Sequence, residues 1–278
     1  LLICIGLHST AAAAIVPSSV SGLQLWLDAQ DINGDGSAFA GASVGSWQDK
    51  SGNNNDAIQI VLGNRPAYIA DGGPEFGNFP IVRFDGANDS LTLPTGFMFN
   101  EAAFTMIILH KTPFDSNEAI FGPSGAFLTG IEMLTGNIGG QPSLWRLNGT
   151  PKTGTGAWDD DIVSLSTIAA DNASTQAYKN GTASPMLDAS GIAPLNFNGI
   201  YTIGSYFVGF NSAPDVAELL IYNRKLTDAE RHGVEAYLDE KWLNPPVAAV
   251  PEPASLVVWG GMALIAAGGV SRRRRMKR

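Results

Sequence analysis

Short segments in which apolar and polar residues alternate, each closed by Gly, Asn, Asp or Pro, fill the chain from residue 15 to about residue 245. Alternation with period two turns one side of an extended chain toward a core and the other toward water, so the pattern predicts half-buried antiparallel strands. Leu23–Leu27, Ile81–Phe84, Phe104–Leu109, Ile162–Leu165 and Glu218–Tyr222 are the clearest of them. Within residues 177–183, Asn180 and Gly181 tolerate the positive φ that a type I′ hairpin turn demands. Helical periodicity is convincing in one place. Thr227 and Glu230 have the spacing of a capping box, and Val234, Tyr237, Leu238 and Trp242 follow on one face. Pro245 and Pro246 prevent continuation of that helix. Trp26, Trp47 and Trp242 fall at core positions of these patterns. The expected body is all-β, a sandwich of two antiparallel sheets with one short C-terminal helix.

The two ends follow other patterns. Residues 1–7 are apolar and lead into Ala11–Ala14, whose small side chains suit a signal peptidase, so residues 1–14 read as a signal peptide that is N-terminally incomplete. At the other end an apolar run covers residues 254–270, at the short end of the ~17–25 residues that a membrane-spanning helix needs. Arg272, Arg273, Arg274 and Arg275 follow it, together with Lys277 and Arg278, and by the positive-inside rule that side stays in the cytoplasm while the body lies outside. Residues 15–244 then form the sandwich, 245–250 a Pro/Ala linker and 251–278 the membrane segment with its flanks.

Charge narrows the function. The 278 residues carry 17 basic and 26 acidic side chains, but residues 1–250 hold only 11 of the basic ones against 25 acidic. An acidic body does not bind nucleic acid, because phosphate contacts need clustered Lys and Arg. The single Cys, Cys4, lies in the removed segment, and His8, His110 and His232 are scattered, so neither a disulfide nor a zinc site is expected.

Two resemblances rest on these residues. Pro251, Glu252 and Pro253, followed by the apolar run and the Arg-rich tail, resemble the PEP-CTERM sorting signal of Gram-negative bacteria. That resemblance implies a membrane anchor before processing, recognition by an exosortase near the Pro-Glu-Pro motif, and export to the cell envelope, cell surface or extracellular matrix. Within the body, Leu25–Ala29, Trp47–Asn53 with Asn55–Ala57, Val82–Gly86 with Asp89–Leu91, and Glu218–Asn223 with Leu226–Glu230 are similar to LamG-like domains of the concanavalin A-like lectin/glucanase superfamily. The match runs in order along nearly the whole body and implies a jelly roll. Where many such domains carry Trp-His-His, this chain has Trp158, Asp159, Asp160 and Asp161.

Candidate chemistry is sparse. Asp31, Asn33 and Asp35 with Gly36 match the first half of a calcium loop, in which oxygens at alternate positions converge. Position twelve of that loop is Ala42 and not Glu, so an EF-hand is excluded, while a calcium-binding turn completed from elsewhere is not. The same residues are also what ordinary turns are made of. Asp159–Asp161 reads as a solvated loop, with a metal that neutralises the three carboxylates as the alternative. The E-x-D-x-x-E strand of laminarinase-like glycosidases is absent, and no Ser/His/Asp set is supported, so no catalytic residue is assigned. Trp145, Trp158, Phe207 and Phe210 stand near turn-rich stretches where an aromatic face could meet a sugar. The four N-x-[ST] sequons, at Asn88, Asn148, Asn172 and Asn180, read as turn residues. The expected protein is exported and non-catalytic, with polysaccharide or glycoprotein as ligand. Its rivals are an adhesive envelope protein that binds protein and a glycoside hydrolase of the same fold.

Overall fold

A computed structural model describes residues 13–245 except 99–100, 114–117, 125–130, 136–143, 148–149, 154–160, 191–198 and 207–209. It describes the backbone alone at 118–119, 131–135, 144–147, 150–153, 189–190, 206 and 210. The signal-peptide segment 1–12, Asp159 and Asp160, and the whole of 246–278, with the Pro-Glu-Pro motif and the expected transmembrane helix, lie outside the described residues. Among the described residues no helix is long and apolar enough to cross a membrane.

The strands, numbered in chain order, form two antiparallel sheets of eight. The first runs β14 (Leu187–Ser190), β13 (Ser174–Lys179), β12 (Ser164–Ala170), β7 (Phe104–Lys111), β18 (Asp215–Tyr222), β5 (Ile81–Arg83) and β4 (Ala67–Ile69), and β1 (Leu23–Asp28) also pairs with β18. The second runs β11 (Thr150–Thr153), β10 (Leu144–Leu147), β9 (Ile131–Thr135), β8 (Glu118–Pro123), β15 (Tyr201–Ile203), β6 (Leu91–Thr92), β3 (Ala57–Ile58) and β2 (Ser46–Trp47). A small hairpin, β16 (Ser205–Tyr206) with β17 (Phe210–Asn211), stands apart. The core lies between the sheets, where Leu25, Leu27, Trp47, Phe84, Leu91, Phe121, Tyr201 and Ile203 are buried together. The body is therefore a mostly-β sandwich, as its alternation predicts.

In the first sheet β7, β12 and β18 are buried along almost their whole length, because the helix and its approach cover the second face. This explains why β12 begins two residues later than its apolar pattern suggests. Ile162 is exposed, while Ser164, Ser166 and Thr167 are buried. The hydroxyls are bonded: Ser166 Oγ lies 2.8 Å from His110 Nε2, and Thr167 Oγ1 donates to Glu235 at 2.7 Å. Asn180 and Gly181 do adopt positive φ, 50° and 68°. The connection is nevertheless longer than a two-residue turn, since β13 ends at Lys179 and β14 begins at Leu187.

The helix α1 spans Asp228–Leu238 and carries the capping box in full. Glu230 accepts from the Thr227 amide at 2.9 Å and from Arg224 Nη2 at 2.7 Å. Arg224 first, and then the Thr227 amide, hold the Glu230 carboxyl down to about 2. A depressed folded value gives stability that is present above the unfolded value, near 4.5, and is lost as pH falls toward about 2. Thermal melts between pH 4.5 and pH 2 are therefore expected to fall less steeply for Glu230→Gln than for the parent chain. Parallel curves would show that the ion pair adds nothing in water.

Candidate functional site

The first concentration of chemistry is a buried ionic knot joining both ends of the fold. Glu218, on the central strand β18, is fully buried and accepts from Trp26 Nε1 at 2.6 Å, Trp242 Nε1 at 2.7 Å and Lys241 Nζ at 2.6 Å. Lys241 also donates to Asp28 Oδ2 at 2.7 Å, and Lys50 meets the same oxygen at 2.9 Å. The π-helical turn Asp239–Leu243 brings Lys241 and Trp242 to the same carboxylate. Burial would raise Asp28, but Lys241 and Lys50 outweigh it and its carboxyl lies below the usual value. Burial, reinforced by Asp28, lifts Glu218 above its usual value despite Lys241 and Trp242. Asp28 faces two ammonium groups and Glu218 only one, so a proton taken up by the knot goes to Glu218.

The calcium-loop residues sit at the rim of this knot. Asp31 is nearly buried; its Oδ1 accepts from the Gly36 amide at 2.9 Å and its Oδ2 pairs with Lys50 at 3.0 Å. Asp35 Oδ1 accepts from the Ser37 amide at 2.8 Å, and Asn33 donates to Ser37 Oγ at 3.2 Å. Asp31 and Asp35 thus spend oxygens on the loop's own amides, and the cation facing Asp31 is Lys50. The donor set fits a self-capped turn better than a preformed calcium cage, which needs six to eight converging oxygens.

The other sequence candidates separate. His110 is sealed between Thr112 Oγ1 at 2.9 Å and Ser166 Oγ at 2.8 Å, and burial pushes its imidazole down to about 3, so it is neutral and no general base at neutral pH. His232 lies with Glu235 and Asp239 around a small cavity of about 280 Å³ beside the Asn180–Gly181 turn. Glu235 there is buried and held by Arg231 Nη1 at 2.8 Å, and Arg231 itself lies over the Tyr178 ring. Trp26, Trp47 and Trp242 are core residues, as expected. Trp158 and Phe207, and the side chains of Trp145 and Phe210, lie outside the described residues.

The second concentration was not visible in the sequence. On the second sheet Trp47 pairs with Ala57 and Leu91 with Ile203, all fully buried, so their strand neighbours belong to the opposite, outer face. Along that face Ile58 stands opposite Thr92, and Thr92 opposite Thr202. Ile58 and Thr92 on this side, with the flanking loop residues Asp56, Gln59, Ile60, Pro94, Thr95 and Ile200, line a groove of about 450 Å³. Asp56, Thr92, Thr95 and Gln59 supply polar edges; Ile58, Ile60, Pro94 and Ile200 supply apolar walls. Ile60 is 84% exposed, Ile58 45% and Ile200 39%. A cleft of this size and mixed lining is what a small ligand or a short stretch of polymer requires. Two-residue strands such as β3 and β6 carry too short an alternation to announce such a face.

No family model matches the chain, and no curated relative matches it. Solved structures do. Domain 4 of an extracellular arabinanase from Geobacillus stearothermophilus, solved in complex with arabinotriose, superposes with a TM-score of 0.55 at 15% identity, covering 77% of this chain and 98% of that one. A sialidase from Trypanosoma rangeli gives 0.54 at 15% identity over 85% of this chain, which spans 37% of the sialidase. The binding domain of paraclostridial mosquitocidal protein 1 gives 0.54 at 15% identity, with 79% and 52% covered. At such identities the likeness establishes the fold alone, a β-sandwich.

Proposed function

We propose that this is an exported, non-catalytic surface or matrix protein whose sandwich binds polysaccharide or glycoprotein through the groove on the outer face of its second sheet. The observation that carries this reading is the groove itself, an open cleft of mixed polar and aliphatic lining on a lectin-like scaffold. The arabinanase domain, solved in complex with arabinotriose and covered over 98% of its length, supports a saccharide as the ligand class.

The LamG-like assignment draws support from the knot, since Trp26, Asp28, Lys50 and Glu218 all belong to the segments that carry that resemblance. Pro251, Glu252 and Pro253, the apolar run 254–270 and Arg272–Arg275 make the chain a substrate for an exosortase, anchored in the inner membrane until processing. Calcium at Asp31, Asn33 and Asp35 would have to displace Lys50 from Asp31 and so disturb the knot. Saccharide binding is therefore expected to be unchanged by a chelator.

A glycan array probed with the protein, with and without chelator, tests the reading. Ile200→Asp, which places a charge in an apolar wall at an already exposed position, is expected to weaken binding at least tenfold with the melting temperature unchanged. Binding that survives this substitution would move the site elsewhere. The exposed run Ile60, Val61 and Leu62 favours a second reading, an adhesive protein with a protein partner. A silent array, with Ile60→Asp abolishing attachment to a protein-coated surface, would establish it.

A further inference from the structure

The groove's walls restrict what kind of saccharide it accepts. A bare pyranose offers hydroxyl edges and flat CH faces, and the flat faces are best covered by aromatic rings. The described lining contains no aromatic ring. Its apolar part is made of branched or kinked aliphatic groups, Ile58, Ile60, Leu93, Pro94 and Ile200. Branched side chains present methyl knobs and the gaps between them, a relief that matches other methyl groups and not a flat ring face. The polar edges are fewer than they look. Gln59 spends its amide inside the chain, with Nε2 donating to the Ser90 carbonyl at 3.0 Å and Oε1 accepting from the Val61 amide at 3.0 Å. Asp56 Oδ1 accepts from the Asp49 amide at 2.9 Å. Thr92, Thr95 and the second oxygen of Asp56 are what the groove offers to hydroxyl groups.

Resting on the saccharide reading above, we infer that the groove selects glycans that present methyl groups, seated among Ile58, Ile60 and Ile200. Two sources present that chemistry: acetyl esters on a sugar hydroxyl, and the C6 methyl of 6-deoxy sugars. Each seated methyl should tighten binding about fourfold, the ratio that corresponds to burying one such group.

The test uses the full chain in affinity titrations with matched ligands. Native acetylated xylan is compared with the same xylan after alkaline saponification, and D-rhamnose (6-deoxy-D-mannose) oligosaccharides with D-mannose oligosaccharides of the same linkage. A preference of about fourfold or more for the acetylated member assigns the ester, and the same preference for rhamnose assigns the deoxy methyl. In either case Ile60→Ser should cut affinity for the methyl-bearing member more than for its bare counterpart and so shrink the preference toward equality. Equal binding of both members of both pairs overturns the inference and leaves the saccharide reading standing. No binding in any arm, together with a silent glycan array, overturns both.

Discussion

Replacing Glu218 by Ala is expected to cost the protein about 3–5 kcal/mol, the range found when one partner of a buried charge network is removed. Three donors lose their acceptor at once. The Trp26 and Trp242 indole N–H groups, both buried and hydrogen-bonded to this carboxylate alone among the contacts described, lose their acceptor, and Lys241 keeps Asp28 as its hydrogen-bond partner. Each stranded donor costs about 1–3 kcal/mol. Against a total stability of about 5–15 kcal/mol, such a loss approaches unfolding. Glu218→Gln is expected to fall between parent and Ala, because an amide offers one acceptor oxygen to donors that need more than one. The pH dependence separates the two effects. Since the folded Glu218 carboxyl lies above its ordinary value, its linked contribution is fully present below the unfolded value and is lost as pH rises through the folded one, and Glu218→Gln removes that slope. Urea unfolding at several pH values measures both. An Ala variant within about 1 kcal/mol of the parent would mean that the knot is not what holds the sheets and helix together.

Gly204→Ala is the second large effect, at about 2–4 kcal/mol from two sources, left-handed backbone and overpacking. Gly204 joins β15 to β16 at φ 81°, and a Cβ there would fall within the ring of the buried Phe84. The backbone has little room to retreat, because its amide donates to the Ile120 carbonyl at 2.8 Å and its carbonyl accepts from the Ser212 amide at 3.0 Å. Gly36→Ala is the internal control. Its φ is also positive, 77°, yet nothing lies within 4 Å of an added Cβ, so only the backbone cost of about 1 kcal/mol applies. Equal melting temperatures for the two variants would show that the Phe84 ring moves aside freely.

What the sequence disclosed follows from how local each determinant is. The capping box of α1 closes within four residues, so Thr227 and Glu230 announce it on their own. Strand β1 was legible because its alternation runs on long enough, and Trp26, Trp47 and Trp242 were recognisable as core. Strand β12 misled because it is buried on both faces, and its serines and threonines look exposed until His110 and Glu235 are brought against them from other elements. The knot was invisible for the same reason on a larger scale. Nothing in the neighbourhood of Glu218 reveals that Trp26 lies against it, 192 residues earlier in the chain. The spacing of Asp31, Asn33 and Asp35 suits a calcium-binding turn and an ordinary turn alike, and what the sequence does not show is that Lys50 arrives beside Asp31 from a separate segment. The groove drew no notice because two-residue strands carry no readable period, and its face is assembled by register between β3, β6 and β15.

The long sequence separation within the knot also sets the order of folding. Strand β18 pairs with β1, β5 and β7, and Lys241 reaches Asp28 across 213 residues. A chain synthesised only as far as β17 has a first strand without its neighbour, an Asp28 without Lys241, and two halves of a sheet with the piece between them missing. Contacts that close such long loops form late and slowly, because the entropy of closure must be met before they contribute anything. The sandwich therefore cannot complete itself until its final strand and helix have left the ribosome. For a protein proposed to leave the cell, this delay is useful, since a chain that stays open until its last segment appears can still be threaded through a membrane channel as an unfolded strand.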